Sequence, residues 1–313
     1  MSSASPVIPV TFASFACSLL SLYEPPLRAR STYSRMAQLL DLLGAHPGVV
    51  TTADLTTPTL ALWIADRSRV VCVNTVIGEL GYLQTACEFA VEEGWLRKNP
   101  FLSRRLRVRK EPTRWKRHHT LAEVGRVLTH LRERSSTWKG NRLYALASTV
   151  AYTGLRRNEA LFLLAADVDL PERLISVVPR GKNRLKTEAA AAPVAACEEL
   201  AEVLADWLPR CRSRWLFPSL WADTPWTGGN PGTKPLDRLR QAAEACGVSG
   251  MTWLSLRHSW ATHAETAWGL SEPAIQRMLR HTSPITSRQH YRHADADNLR
   301  AMVRSVSYRT APV

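Results

Sequence analysis

Residues 103–119, SRRLRVRKEPTRWKRHH, carry eight Lys or Arg against one Glu, with Pro112 near their middle and no apolar periodicity. A run like this has no face to bury, and its like charges repel in any packed interior, so the chain folds as separate parts on either side of it. The stretch is predicted to be a linker between a first domain over residues 1–102 and a second over residues 120–313. Each part is long enough to bury a core without disulfides or metals. The linker belongs to a wider imbalance, since 41 Lys+Arg against 27 Asp+Glu leave a formal charge of +14. That surplus points to a polyanionic partner, nucleic acid or an anionic membrane surface, and charge alone does not separate the two. Arg104, Arg105, Arg107, Arg109, Lys110, Arg114, Lys116 and Arg117 are the candidate phosphate contacts. Each phosphate they neutralise releases condensed counterions, which would make the stretch a strap along a backbone; a solvated charge run is the plain alternative.

The six cysteines, at positions 17, 72, 87, 197, 211 and 246, form no Cys-x-x-Cys pair, and no His cluster stands at ligand spacing. Neither a metal site nor a disulfide scaffold is expected, and a reducing, cytoplasmic setting fits this usage. Val10 to Tyr23 is apolar but is interrupted by Ser14 and Ser18, follows no basic segment and is too short for a bilayer span. No signal peptide, anchor or membrane partner is expected.

The first domain reads as helical. Tyr33, Met36, Ala37, Leu39, Leu40 and Leu43 predict a helix over 30–44, stopped by Gly44 and Pro47; a second covers 60–66. The longest runs over 74–93, with Val76, Ile77, Leu80, Leu83, Cys87, Ala90 and Val91 as one apolar stripe and Gly94 as its stop. The first 30 residues are given no element. The second domain opens on Thr120-Leu-Ala-Glu123, a capping box that starts a helix through Leu131. Helices follow over 141–152 and from Arg156, then a strand over 174–178 with a hairpin partner over 189–194. Further helices are predicted over 197–208, 236–245, 256–266 and 271–279, and a short one around 299–306. Trp63, Trp95, Trp207, Trp253 and Trp260 fall at apolar positions and read as packing residues, whereas Trp115 lies in the basic linker.

Three residues stand out chemically. Arg156 follows a Gly-Leu turn at a helix start, where a surface cation is the plain reading. Arg257 lies in Leu-Ser-Leu-Arg-His-Ser-Trp, where an unpaired guanidinium is costly, so it is expected to meet a carboxylate or a phosphate. Tyr291 sits in His-Tyr-Arg-His, a cationic setting that packing does not require. Two planar forks and a phenol suit phosphoryl transfer, with the forks on the non-bridging oxygens and the phenol as nucleophile.

Taken in order, Thr153-Gly-Leu-Arg-Arg-Asn-Glu159-Ala, Leu256-Arg257-His258-Ser-Trp-Ala-Thr262, Leu279-Arg-His281-Thr-Ser-Pro and Tyr291-Arg-His293 resemble the signature boxes of the tyrosine recombinase, or phage integrase, family. The segments from Asn74 and from Ala90 to Phe101 are similar to that family's helical core-binding domain. The resemblance covers roughly residues 30–300. It implies a mainly α fold with a small β-hairpin, built as a C-shaped clamp on double-stranded DNA from a helical core-binding domain and a mixed α/β catalytic domain. By the same resemblance Tyr291 attacks a phosphodiester to give a 3′-phosphotyrosyl link, and neither ATP nor any other cofactor or metal is consumed. Arg156 and Arg257 would clamp the scissile phosphate, His281 would donate to it or buttress the site, and Glu159 would orient Arg156, with His258 in support. The lysine that protonates the leaving 5′-oxygen would be Lys186, by its Lys-Thr pair and its interval to Pro193, with Lys182 as the alternative. Paired sites would call for a tetramer on DNA, joined by exchange of the segment after Tyr291.

Two positions depart from the family. Leu254 stands where a histidine usually assists proton removal from the tyrosine, and His290 or His293 are the nearby groups that would replace it. Arg280 stands where glycine is usual and is expected to add a cation beside the phosphate pocket. An integrase or resolvase of a mobile element is the leading expectation. A DNA-binding regulator with weakened cleavage, marked by Leu254, and a topoisomerase IB-like nicking and closing enzyme are the alternatives.

Overall fold

The computed structural model describes residues 7–111, 118–180, 192–228, 232–280, 303 and 306–308. The chain divides into two compact units, Met1–Arg114 and Trp115–Val313. Among the described residues no helix is long and apolar enough to cross a membrane.

The first unit holds α1 (Phe12–Ser21), α2 (Arg30–Gly44), α3 (Thr57–Val70) and α4 (Val73–Glu92). Sequence periodicity gave no element before residue 30, yet α1 is a core helix. Thr11 caps it by accepting from the Ser14 amide, and Phe12, Phe15 and Leu19 turn inward. The Phe15 ring lies against Phe89 of α4 and edge-on to Trp95, so the start of the chain closes the core that α2 and α4 begin. The α4 stripe is also not the purely apolar one expected. Its buried face runs through Val76, Glu79, Leu83, Ala86, Cys87 and Ala90, with a carboxylate in the middle. Glu79 is fully buried and accepts from Arg35 of α2 at 2.9 Å and from Arg67 of α3 at 2.8 Å through each oxygen, tying three helices together.

The stretch read as a linker is partly absorbed by the units on either side. Leu106 is buried in the first unit's core, beside a one-turn 3-10 helix that packs on α3. His119 is buried in the second unit, its amide donating to Ser259 Oγ at 2.8 Å. Both ends of the predicted 103–119 linker are thus anchored in the unit they adjoin, and 112–117, which hold Arg114, Trp115, Lys116 and Arg117, lie outside the described residues.

The second unit contains α5 (Leu121–Glu133), α6 (Trp138–Thr153), α7 (Arg157–Leu161), β1 (Val168–Asp169), β2 (Leu174–Ile175), β3 (Val194–Ala195), α8 (Glu198–Trp207), α9 (Pro235–Ala245), α10 (Trp253–Thr266) and α11 (Glu272–Leu279). The predicted capping box starts α5: Thr120 Oγ1 accepts from the Glu123 amide and Glu123 accepts from the Thr120 amide at 2.8 Å. Helix α6 is the hub, buried almost all round and packed against α5, α8, α9 and α10. The sheet is antiparallel in the order β1-β2-β3, with Leu174 opposite Ala195 and Ile175 opposite Val194. The predicted strand over 174–178 is thus shorter, its partner begins at Val194, and β1 is an additional strand that two residues of sequence could not announce. Residues 181–191 lie outside the described residues, and so does half of the predicted partner strand over 189–194. The predicted carboxyl-terminal helix also lies largely outside them. Val303, Val306 and Tyr308 are buried in this unit's own core, with Tyr308 Oη donating to the Ala151 carbonyl at 3.2 Å and its ring edge-on to Tyr152, His263 and Trp268.

Candidate active site

The site is assembled where α6 and α11 end beside α10. Both helices stop in the left-handed conformation, α6 at Gly154 (φ 65°) and α11 at Arg280 (φ 51°). Glycine takes that conformation freely, and at 154 it is also required by space. A Cβ there would stand 2.8 Å from Leu279 Cδ2 and 3.1 Å from the Trp260 ring. The last carbonyls of a helix have no partner within it and carry the negative end of its dipole. Here two of these helix ends turn toward a single cation. Arg257 of α10 donates to the Gly154 carbonyl at 2.5 Å and to the Leu279 carbonyl at 2.7 Å, while Trp260, one turn on, donates to the Tyr152 carbonyl at 2.8 Å. Arg257 is 5% exposed.

The expected partner of Arg257 is a carboxylate or a phosphate, and no carboxylate among the described residues pairs with it. Neutral carbonyls hold it, and among the described residues it has no ion pair. Burial, together with the neighbouring Arg156 and Arg280, brings its pKa down to about 9 against the opposing pull of Glu159. A cation so placed is stabilised by whatever anion arrives.

Arg156 precedes α7, and Glu159 lies in that helix's first turn. The Glu159 carboxylate accepts from the Arg156 amide at 2.7 Å and from its Nη1 at 2.8 Å, closing the turn and holding the side chain against it. Glu159 is 4% exposed and the Arg156 side chain 47%, so the carboxylate lies in the protein and the guanidinium faces out of it. Arg280 comes in from the buried side and donates to the other Glu159 oxygen. The cation expected beside the phosphate pocket is instead fully buried behind Glu159. Burial works to raise the Glu159 pKa, but Arg280 and Arg156 outweigh it and hold the carboxyl below its ordinary range. Two guanidiniums thus pair with one carboxylate while a third stands close enough to feel it, a surplus of positive charge largely shielded from water.

His258 follows Arg257 on α10 and is half-buried, while Leu254, in the first turn of α10, is 62% exposed. Arg104, Arg105, Arg107, Arg109 and Lys110 are exposed on the first unit. Tyr291, His281, Lys182, Lys186, His290 and His293 lie outside the described residues. The structure therefore brings together Arg156, Glu159 and Arg257. It adds Arg280 as a member of the cluster, which sequence marked only as an odd residue at a glycine position.

Comparison with known proteins identifies the fold and the family. Tyrosine recombinase XerC of Halalkalibacterium halodurans is 28% identical over 242 residues, covering 74% of this chain and 75% of that protein. Among solved structures, the Tn1549 transposon integrase in complex with a circular intermediate DNA superimposes with a TM-score of 0.72 at 18% identity, over 93% of this chain and 98% of that one. A lambda integrase tetramer bound to a Holliday junction gives 0.66 at 17% identity, over 90% and 80%. Residues 120–298 match the phage integrase family, a span that takes in Arg156, Glu159, Arg257, Arg280 and Tyr291 together. The chain belongs to the phage integrase family, the tyrosine recombinases.

Proposed function

We propose that this recombinase cleaves and rejoins DNA at paired specific sites through a 3′-phosphotyrosyl intermediate, with Tyr291 as nucleophile and Arg156 and Arg257 as the phosphate clamp. One observation carries this reading: a buried guanidinium, Arg257, fixed by two helix-end carbonyls with no carboxylate of its own, beside a second guanidinium that faces outward. That arrangement is pre-set for a phosphodiester, whose negative charge grows as the pentavalent transition state forms, and rigid donors stabilise it without reorganising. The Tyr291 oxygen bonds to phosphorus as the bond to the 5′-oxygen breaks. A lysine of the hairpin, Lys186 or Lys182, gives its proton to that oxygen, and His281 donates to the phosphate. The phenolic proton leaves to a neighbouring base, His290 or His293, since Leu254 has none to offer. Rejoining reverses these steps, so the energy of the bond is kept in the phosphotyrosine.

The exposed cations from Arg104 to Lys110 would lie along the backbone of duplex DNA. Strand exchange between two duplexes calls for four protomers, and the DNA-bound tetramer of the lambda integrase is a precedent for that assembly. Exchange of carboxyl-terminal segments would require a neighbour's tail to make the contacts that Val303, Val306 and Tyr308 make within this chain. Integration or excision of a mobile element in the cytoplasm is the setting we infer. The family match favours this over a nicking and closing enzyme or a regulator.

The test uses a cognate duplex, selected from random sequences by binding, with a nick beside the cleavage point so that the cut strand diffuses away. A protein–DNA adduct that survives denaturation is expected, and it should vanish in Tyr291→Phe. An adduct that persists in that variant places the nucleophile elsewhere.

A further inference from the structure

Arg280 is an unusual residue for its place. It sits at φ 51°, where a side chain is strained, and its guanidinium is wholly buried, where a charge is costly. Both costs vanish with glycine. Besides a bond to the Met278 carbonyl at 3.3 Å, the arginine donates to the Glu159 oxygen opposite the one that holds Nη1 of Arg156. Its own backbone continues directly from Leu279, whose carbonyl holds Arg257. One residue therefore touches the supports of both clamp arginines.

We propose that Arg280 is a positioning residue for the phosphate clamp, acting through Glu159 on Arg156. Without Arg280 the carboxylate would keep only the Arg156 amide and Nη1, and the Nη1 contact is a weak hold, because that side chain is nearly half exposed and its long stem has many rotamers. Held from behind by a buried guanidinium, Glu159 has one orientation, and Arg156 is fixed where the phosphate arrives. The buried charge serves a second end. Arg280 offsets Glu159, so the carboxylate does not cancel the positive field of Arg156 and Arg257, and the cluster keeps its surplus although position 254 supplies no histidine. Arg280 reaches no substrate in this scheme, being 0% exposed at its side chain.

The inference rests on the reading of Arg156 as a clamp, and the experiment separates the two. Adduct formation on the nicked cognate duplex is timed at saturating DNA, and binding is measured separately with Tyr291→Phe added to each variant. Arg280→Gly should slow adduct formation about a hundredfold, the order lost when a catalytic group is displaced by about 1 Å. Affinity for uncut DNA should change by less than about threefold, because the side chain meets no phosphate. Arg280→Lys, which keeps the charge and one donor, should recover part of the rate. In an Arg156→Lys background, Arg280→Gly should cost little more, since both act through one contact. Should Arg280→Gly unfold the protein, Arg280→Gly with Glu159→Gln removes both buried charges; that pair should fold and remain slow. A wild-type rate in either glycine variant, or full additivity with Arg156→Lys, overturns the proposal. If Arg156→Lys itself leaves the rate unchanged, the clamp reading fails instead.

Discussion

Glu79 in the first unit and Glu159 in the second are both buried carboxylates held by two arginines, but the charges around them are resolved in opposite ways. At Glu79 the arginines reach in from the surface, with 34% and 17% of their side chains exposed, so water still solvates them. The hydrogen bonds that Arg67 donates to Glu79 raise the Arg67 pKa, against the opposing effect of burial. At Glu159 one partner, Arg280, is cut off from water, and Arg257 stands nearby with no carboxylate; burial lowers the pKa of both. The first cluster is satisfied as it stands, and the second holds buried positive charge that is satisfied only when an anion arrives. A buried ion pair is therefore no sign of a functional site in itself; the informative feature is an excess of one sign out of reach of water.

The contrast predicts different kinds of damage in the two places. Arg257→Gln should lower adduct formation by about a thousandfold or more, the scale lost with a fixed transition-state donor, while thermal stability holds or rises. A large loss of stability with the rate intact would make Arg257 a structural residue like Arg67. Glu79→Gln should do the reverse, destabilising the first unit by about 2 kcal/mol in denaturant unfolding, because the buried amide nitrogen would face an arginine donor where a carboxylate oxygen now accepts. Its adduct rate at saturating DNA should match the parent, and a slowed rate would mean that the first unit's core feeds into the chemistry.

His263, on α10 beyond Arg257, extends the comparison to a neutral group. Burial, with His118 and His119 nearby, brings its pKa down to about 4, against a backbone hydrogen bond that works the other way. The unfolded chain binds a proton at this residue below its ordinary pKa of about 6.5 and the folded one does not until near 4, so its contribution to stability is complete above about 6.5 and is lost as pH falls toward 4. Loss of up to about 3 kcal/mol across that window is expected in unfolding titrations, and His263→Gln should flatten the slope. An unchanged slope assigns the acid sensitivity to other groups. The smallest effect expected is a gain. Leu254→His should speed adduct formation about tenfold, at the low end for a positioned base. No change would show that another group already takes the phenolic proton.

Much of this was legible from residue order. The capping box at Thr120, the Gly154 stop and the core tryptophans follow from local chemistry, and the structure has them where they were expected. The signature boxes around Arg156 and Arg257 led to the family that residues 120–298 match. Helix α1 was missed because its partners, Phe89 and Trp95, lie some seventy residues away and its own pattern looked like an interrupted leader. β1 has two residues, too few to show a period, whereas β2 falls at the start of the strand predicted over 174–178. Glu79 was passed over because a lone carboxylate in an apolar stripe gains its meaning from Arg35 and Arg67, which lie on other helices.

Sequence alone determined the basic surplus, the helical character and the family, and it singled out Arg156 and Arg257, because each depends on the type and spacing of neighbouring residues. It did not settle what those arginines touch. That Arg257 rests on the carbonyls of two helix ends, and that Arg280 turns inward to Glu159 and not toward a phosphate, depends on where α6, α10 and α11 meet. The energy of a charge is set by what surrounds it, and residues far apart along the chain become its surroundings only when the helices pack.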